Sequence, residues 1–179
     1  MTYVFLAGIG NSEAEHWQAS WHRALGGRWV EHADWERPRA DQWVADLDRA
    51  LSAIAGPKII VAHSIGCLLA VEWAKRHRDR DLLGSFLVAP PDPCGPCFPT
   101  SAVGFAPPAE GKPPLPALIV ASSTDPYASL AWTRHAAARW GAGLADVGER
   151  GHINLASHIG AWDEGRALLT GFVARLERP

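Results

Sequence analysis

The architecture of this chain is indicated most directly by the segment Lys58-Ile59-Ile60-Val61-Ala62-His63-Ser64-Ile65-Gly66. Its apolar run predicts a buried β-strand, and a helix is expected to begin just after Ser64. A serine at such a turn is typical of a nucleophile elbow, which holds a hydroxyl above the edge of a parallel sheet. The usual pattern is G-x-S-x-G, and Ala62 takes the first position, where a small residue lets the strand and helix backbones approach closely.

Candidates for a base and an orienting acid follow later in the chain, each just after a predicted strand. Asp125 follows the apolar segment Leu118–Ser122, and His152 follows the short segment Leu144–Val147. Catalytic groups in open α/β sheets gather at the carboxyl ends of strands. The order Ser, Asp, His also matches the order in which this kind of site is encoded. We therefore predict that Ser64, Asp125 and His152 act as nucleophile, acid and base.

Other residues compete for these roles. The alternative role for Ser64 is that of an ordinary helix cap. The alternative role for Asp125 is to form an Asp-Pro turn. Asp92, in the loop after the fourth strand, is the competing acid, but the fold places its acid one strand before the histidine. The side chain of His63 is expected to point away from Ser64. Surface positions are expected for the histidines on predicted helices, and two further histidines are weaker competitors: His16, His22, His77 and His135, then His32 and His158.

Two backbone N–H groups are expected to stabilise negative charge on a substrate oxygen. One belongs to Ile65, and the other comes from the loop Gly8–Gly10, with Ile9 as the favoured residue. This glycine loop lacks the third glycine of a dinucleotide-binding fingerprint, so no cofactor is predicted. Trp35, in a loop at a strand end, is a candidate wall of a substrate pocket, with core packing as the alternative.

Strands alternate with helices along the whole chain, which predicts an α/β fold. Because crossovers between parallel strands are right-handed, few topologies remain, and we predict a three-layer, doubly wound parallel sheet of about six strands in the order 2-1-3-4-5-6. The expected strands are Tyr3–Ala7, Trp29–His32, Lys58–His63, Leu82–Ala89, Leu118–Ser122 and Leu144–Val147. The expected helices are one capped by Ser12 and Glu15 and ending near Leu25, then Arg39–Ala55, Ile65–His77, Tyr127–Trp140 and Trp162–Leu176.

The segment 90–116 differs from the rest, with ten prolines and no helical period. Long loops inside compact domains are usually functional, so we expect this one to form a cap or one wall of the site. Its Cys94-Gly95-Pro96-Cys97 sequence resembles a redox motif, but no helix is predicted to follow and lower a thiol pKa. No second cysteine or histidine pair has zinc-site spacing, so no metal is predicted. We see no linker, and we predict one domain over residues 1–179.

Composition excludes several classes of protein. Hydrophobic residues make up 47% of the 179 residues and charged residues 20%, as expected of a globular domain. The net charge of −2 comes without a basic stripe, so nucleic acid binding is not predicted. No apolar run has membrane-spanning length, and the N-terminal segment is too short and uncharged for a signal peptide. Three cysteines do not suggest a disulfide framework, and we expect a cytoplasmic protein.

The chain resembles the small α/β-hydrolases of the YdeN-like, retinoblastoma-binding-protein-nine-like serine hydrolase family. The segments that carry the resemblance are Leu6–Gly8, Asn11-Ser12, His16–Gln18, Asp34-Trp35 with Pro38, Ala62–Cys67, Val88–Pro90, Ser122–Tyr127 and Gly151–Asn154. The resemblance implies a compact hydrolase lacking the two N-terminal strands of larger relatives. It also implies that nucleophile, acid and base are Ser64, Asp125 and His152, and it supplies no substrate.

These observations predict a metal-independent serine hydrolase that cleaves small ester, thioester or amide bonds through an acyl-enzyme, with esterase activity favoured. A small-molecule acyl compound is the expected partner, and a protein partner stays open. The alternative is a non-catalytic interaction module on a hydrolase fold, with Trp35, Phe98 and Phe105 as a binding patch. A third hypothesis is thiol–disulfide chemistry at Cys94 and Cys97.

Overall fold

The computed structural model describes residues 1–105 and 116–177. Its strands are β1 (Thr2–Leu6), β2 (Arg28–Trp29), β3 (Lys58–His63), β4 (Leu82–Val88), β5 (Ala117–Ala121) and β6 (Gly143–Asp146). Its α-helices are α1 (Trp17–Leu25), α2 (Ala40–Ser52), α3 (Ile65–Arg76), α4 (Leu130–Trp140) and α5 (Asp163–Leu176). One 3₁₀ turn, Leu155–Ser157, follows the loop after β6.

The strands form one parallel sheet in the order β2-β1-β3-β4-β5-β6, which confirms the predicted order. At the site edge, Leu6 of β1 pairs with Ala62 of β3, and His63 pairs with Val88 of β4. β3 is therefore a central strand, and all six of its residues are buried. Burial on both faces explains why its sequence is a nearly continuous apolar run rather than an alternating one.

Helices cover both faces of the sheet, as predicted. Successive strand side chains point to opposite faces, so neighbouring residues of one strand enter different layers. Val4 and Leu6 of β1 belong to a cluster with α2, α3 and α4, whereas Phe5 belongs to a cluster with α1 and α5. The first cluster is anchored by Trp43, Trp73 and Trp140, and the second by Trp17, Trp21 and Phe172.

Three predicted elements have wrong bounds: two helices begin later than predicted, and one strand ends earlier. Helix α1 begins at Trp17, with the side chain of His16 accepting from the Gln18 N–H, because the Ser12 hydroxyl instead binds the Gln18 side chain. Helix α4 begins at Leu130, since Ser129 caps it through the Trp132 N–H. Strand β2 spans only two residues.

The first part of the proline-rich loop packs against helix α2. Val103 forms a parallel bridge with Arg39, and the Val103 carbonyl accepts from the Ala40 N–H at 3.0 Å. Phe105 is 2% exposed and its ring lies edge-on to Trp43. Residues 106–115, the second part of the predicted cap, lie outside the described residues. Within the described ranges, no helix combines the length and the apolar character needed to cross a bilayer.

Candidate active site

Ser64 lies at a sharp turn between β3 and α3. Its φ of 55° and ψ of −129° lie outside the regions that L-residues usually occupy, as expected of a strained elbow. Its side chain makes no capping bond to helix α3, so the helix-cap alternative does not describe this serine. Gly66 makes the turn feasible, because a Cβ there would lie 2.6 Å from the Leu6 carbonyl oxygen of β1.

The structure brings Ser64, His152 and Asp125 into one chain of hydrogen bonds. His152 Nε2 lies 2.9 Å from Ser64 Oγ, and its Nδ1 lies 3.0 Å from each Asp125 carboxylate oxygen. Since a carboxylate only accepts, His152 Nδ1 carries the hydrogen and Nε2 is free to accept from the serine. The side chains of Asp125 and His152 are 3% and 9% exposed, so the hydrogen bond between them is shielded from water. Such an arrangement can activate a hydroxyl for attack on a carbonyl carbon.

The carboxylate of the competing acid, Asp92, has another structural role. It accepts from the Cys94 N–H at 2.8 Å and so caps its own turn. The Asp125 carboxylate also caps a turn, because Oδ1 accepts from the Tyr127 N–H at 2.9 Å. That bond fixes the orientation of the Asp125 carboxylate. The direction of the Asp125 loop then brings this carboxylate to His152. Asp125 therefore forms a turn, as in the alternative interpretation, and also lies beside the histidine.

The loop that carries His152 is held by the end of β5. Ser122 Oγ accepts from the Arg150 N–H at 2.9 Å, and Thr124 Oγ1 accepts from the Gly151 N–H at 3.0 Å. These two hydroxyls satisfy backbone donors immediately before His152. Sequence reasoning missed them, since it treated Ser122 only as the end of a strand. The sequence signal that could have identified these two hydroxyls is their position between a strand and the candidate acid.

A cavity of about 640 Å³ opens beside Ser64, and both residues expected to supply oxyanion donors, Ile9 and Ile65, line it. The Ile65 N–H lies in the first turn of α3, where helix donors lack a carbonyl one turn earlier and the helix dipole favours negative charge. Part of the proline-rich loop forms one wall. The apolar lining residues include Pro91, Phe98, Pro99, Tyr127 and Leu155.

Trp35, the candidate wall of a substrate pocket, is not among the residues that line this cavity. Its ring packs edge-on against Trp43 and against His32, because the loop docks on helix α2. The core-packing alternative therefore describes it. His32 also belongs to this cluster, stacked on Trp43 at 3.9 Å with its Nδ1 2.9 Å from an Asp46 oxygen.

Two further histidines, His16 and His63, lie beside the site. His16 was expected at the surface but is only 3% exposed, and its ring lies 4.9 Å from that of His63. Burial lowers the pKa of His16 to about 4. Burial and the neighbouring His152 and His16 hold the pKa of His63 well below its usual range. Both imidazoles are therefore neutral near pH 7.

No cysteine belongs to the hydrogen-bonded group of Ser64, His152 and Asp125. Cys94 and Cys97 are exposed free thiols, and neither lines the cavity beside Ser64. Cys67 is buried, donates to the Val88 carbonyl, and has a pKa that burial raises well above its usual range. Among the described residues, no three His, Cys, Asp or Glu side chains are grouped so as to hold a metal ion.

The fold and the elbow define an α/β-hydrolase. The chain belongs to the serine hydrolase family, whose model matches residues 3–171. This finding makes it an enzyme with hydrolase activity, as predicted. No curated protein gives a significant sequence match.

Solved structures support the same assignment. A protein described as a YdeN-like hydrolase from Pectobacterium atrosepticum is 31% identical, with a TM-score of 0.86, over 98% of this chain and 91% of that one. The ydeN gene product of B. subtilis is 20% identical, with a TM-score of 0.72, over 97% and 100%. The type II thioesterase BorB of the borrelidin biosynthetic cluster is 16% identical, with a TM-score of 0.66, over 99% and 92%. The first of these matches, with the family model, confirms the resemblance to YdeN-like hydrolases, and the other two share the fold.

Proposed function

We propose that this chain hydrolyses small ester, thioester or amide bonds without a metal, through an acyl-enzyme on Ser64. The observation that carries the proposal is the 2.9 Å contact between His152 Nε2 and Ser64 Oγ, completed by Asp125 on the other ring nitrogen. A free serine is a weak nucleophile and reacts only when a base removes its proton during attack. The arrangement supplies that base, and it does so without needing a Lewis acid.

The reaction follows in two halves. As Ser64 Oγ bonds to the substrate carbonyl carbon, its proton moves to His152 Nε2, and Asp125 stabilises the imidazolium. The carbonyl electron pair moves to oxygen, and the N–H groups of Ile9 and Ile65 stabilise this oxyanion. The bond to the leaving group breaks as His152 returns the proton to it. Water then attacks the acyl-enzyme, with His152 again as base, and releases the acid and free Ser64.

The cavity favours a small, uncharged acyl compound. Its volume of about 640 Å³ lies in the range of small-molecule sites. Among the described residues that line it, Glu13 is the one carboxylate and there is no lysine or arginine. A substrate anion would therefore find no fixed positive side chain in this part of the wall. Esters with short, neutral acyl chains are the first compounds to examine, with thioesters and amides beside them.

Labelling with a fluorophosphonate probe tests the proposal. We expect native protein to be labelled, and both heat-denatured protein and Ser64→Ala to remain unlabelled. A series of p-nitrophenyl esters from acetate to decanoate then reports acyl length, and short chains are expected to react fastest. Well-folded native protein that resists the probe and every ester would contradict the proposal.

The two alternatives have distinct tests. If the chain were a non-catalytic module, His152 Nε2 would be expected to lie far from Ser64 Oγ. The two atoms are instead in contact. Its proposed aromatic patch is also not assembled, since Phe105 is buried while Phe98 lines the cavity. Thiol–disulfide chemistry predicts that replacing both Cys94 and Cys97 by serine abolishes activity. We expect that double variant to retain full hydrolysis.

A further inference from the structure

The backbone on each side of His152 is in an unusual conformation. Gly151 has a φ of 54° and Ile153 a φ of 50°. Glycine accepts a positive φ readily, but for a β-branched residue such as isoleucine it is strained. A strained backbone persists only where surrounding contacts determine it. The position of the His152 imidazole therefore depends on contacts made from outside its loop.

Two buried ring N–H groups supply such contacts at consecutive carbonyls. His63 Nε2 lies 3.0 Å from the carbonyl oxygen of His152, and Trp17 Nε1 donates to the carbonyl of Ile153 at 2.7 Å. A carbonyl oxygen only accepts, so the hydrogen of His63 is on Nε2 in this contact. His63 ends β3 and Trp17 begins α1, so both donors are fixed to regular secondary structure.

The two donors also support each other. The rings of His63 and Trp17 meet edge to face at 5.9 Å, and the two residues are 5% and 1% exposed. The pKa of His63 lies well below its usual range because of burial, so at neutral pH it donates a hydrogen while uncharged. A second positive charge would oppose the imidazolium that forms on His152 during attack. The surroundings thus provide a hydrogen bond without that repulsion.

We propose that His63 and Trp17 are positioning residues that clamp the His152 and Ile153 carbonyls and so hold the imidazole within bonding distance of Ser64. This inference rests on the proposed role of His152 as the general base. It gives the histidine of the elbow a role separate from packing. It also explains why a tryptophan at the start of α1 contacts a loop 136 residues later in the chain.

Three variants test the clamp. His63→Phe and Trp17→Phe each remove one N–H while keeping an aromatic ring. His63→Gln restores a side-chain N–H at a similar reach. Trp21→Phe is the matched control, because the Trp21 N–H donates at 2.9 Å to the Ala161 carbonyl, nine residues after His152, and Trp21 is 2% exposed.

We expect kcat per folded molecule to fall about 10- to 100-fold in His63→Phe and in Trp17→Phe, since misplacing a catalytic group by about 1 Å has effects of this size. KM should change little, because these residues hold the base and not the substrate. His63→Gln should recover most of kcat, and Trp21→Phe should keep it. Folded fractions are measured by circular dichroism at the assay temperature.

A second readout does not depend on turnover. The proton between His152 Nδ1 and Asp125 should give a low-field ¹H signal, which should shift or broaden in the two donor-deleting variants and not in Trp21→Phe. If both the signal and kcat are unchanged in His63→Phe and Trp17→Phe, the clamp is overturned. An equal loss of kcat in Trp21→Phe would also overturn it. If wild-type protein resists the fluorophosphonate probe, the proposed function fails, and the signal still decides whether the clamp holds His152.

Discussion

Gly8 lies so close to Ser64 that a Cβ atom on Gly8 would come within 2.9 Å of the Ser64 Cβ atom and 3.3 Å of its hydroxyl oxygen. The loop after β1, which is expected to supply the Ile9 oxyanion donor, thus touches the serine directly. Any side chain at position 8 must displace either that loop or the hydroxyl. The close approach of the two segments makes Gly8 part of the geometry that the reaction requires.

Gly8→Ala should therefore lower kcat by about 100-fold, the effect expected when reacting groups are displaced by about 1 Å. The measurement is the steady-state kinetics of a short p-nitrophenyl ester. Gly171→Ala is the control: a Cβ at position 171 meets nothing within 4 Å, and alanine should stabilise helix α5 by about 0.5–1 kcal/mol without affecting kcat. A folded Gly8→Ala protein with wild-type kcat would show that the loop has room to move.

Asp125→Asn should lower kcat by about 10³- to 10⁴-fold, because an amide favours the wrong imidazole tautomer and does not stabilise imidazolium. The matched control is Asp92→Asn, at the other candidate acid. The amide oxygen introduced at position 92 would still accept from the Cys94 N–H, so folding and activity should be unchanged. Initial rates on one ester compare the two variants. Equal losses in both, or a loss confined to Asp92→Asn, would reassign the acid.

Much of the fold and of the site is encoded locally, which explains why it was predictable. The elbow is one continuous segment, and Ser64 follows from its strand–serine–helix pattern alone. Asp125 and His152 each follow a short apolar strand, and the sheet brings their strand ends to one edge. The strand order follows from alternation of strands and helices, because right-handed crossovers leave few alternatives.

The features that were missed or mispredicted depend on contacts between distant segments. Ser122 Oγ accepts a hydrogen bond from the backbone N–H of Arg150, 28 residues later in the chain. Nothing in the sequence around Ser122 reveals that partner. His16 lies on what was read as an exposed helix face, yet its ring packs on His63. Trp35 lies in the loop after β2, and packing on Trp43 decides its direction. Sequence periodicity indicates which segments pack, and it does not give the direction of one loop side chain.

Ser122→Ala should lower stability by about 1 kcal/mol, because it removes the acceptor of the half-buried hydrogen bond from the Arg150 N–H. The His152 loop should also loosen, so kcat should fall several-fold. Ser123→Ala is the control, since Ser123 is exposed and engages the fold through its backbone N–H. Urea unfolding and ester hydrolysis measure the two effects. Equal stability of the two variants would remove Ser122 from this role.

The low pKa of His16 predicts how stability depends on pH. Unfolded His16 binds a proton near pH 6.5, whereas folded His16 does so only near pH 4, because burial opposes its charge. Between these values unfolding takes up a proton, so the free energy of unfolding falls as the pH falls. The loss attributable to this residue is about 1 kcal/mol at pH 5.5 and about 3 kcal/mol near pH 4, and it changes little at lower pH.

His16→Asn isolates this effect, because asparagine still caps helix α1 by accepting from the Gln18 N–H but does not titrate. Urea unfolding at pH 7, 5.5 and 4.5 should show a shallower loss of stability in the variant than in wild type. His63 is buried and neutral in both proteins, so some loss on acidification remains in the variant. His135→Asn, at an exposed position on α4, should leave the wild-type slope unchanged. Parallel pH profiles for wild type and His16→Asn would mean that folded His16 accepts its proton near the ordinary pKa, with water or Glu13 compensating for burial.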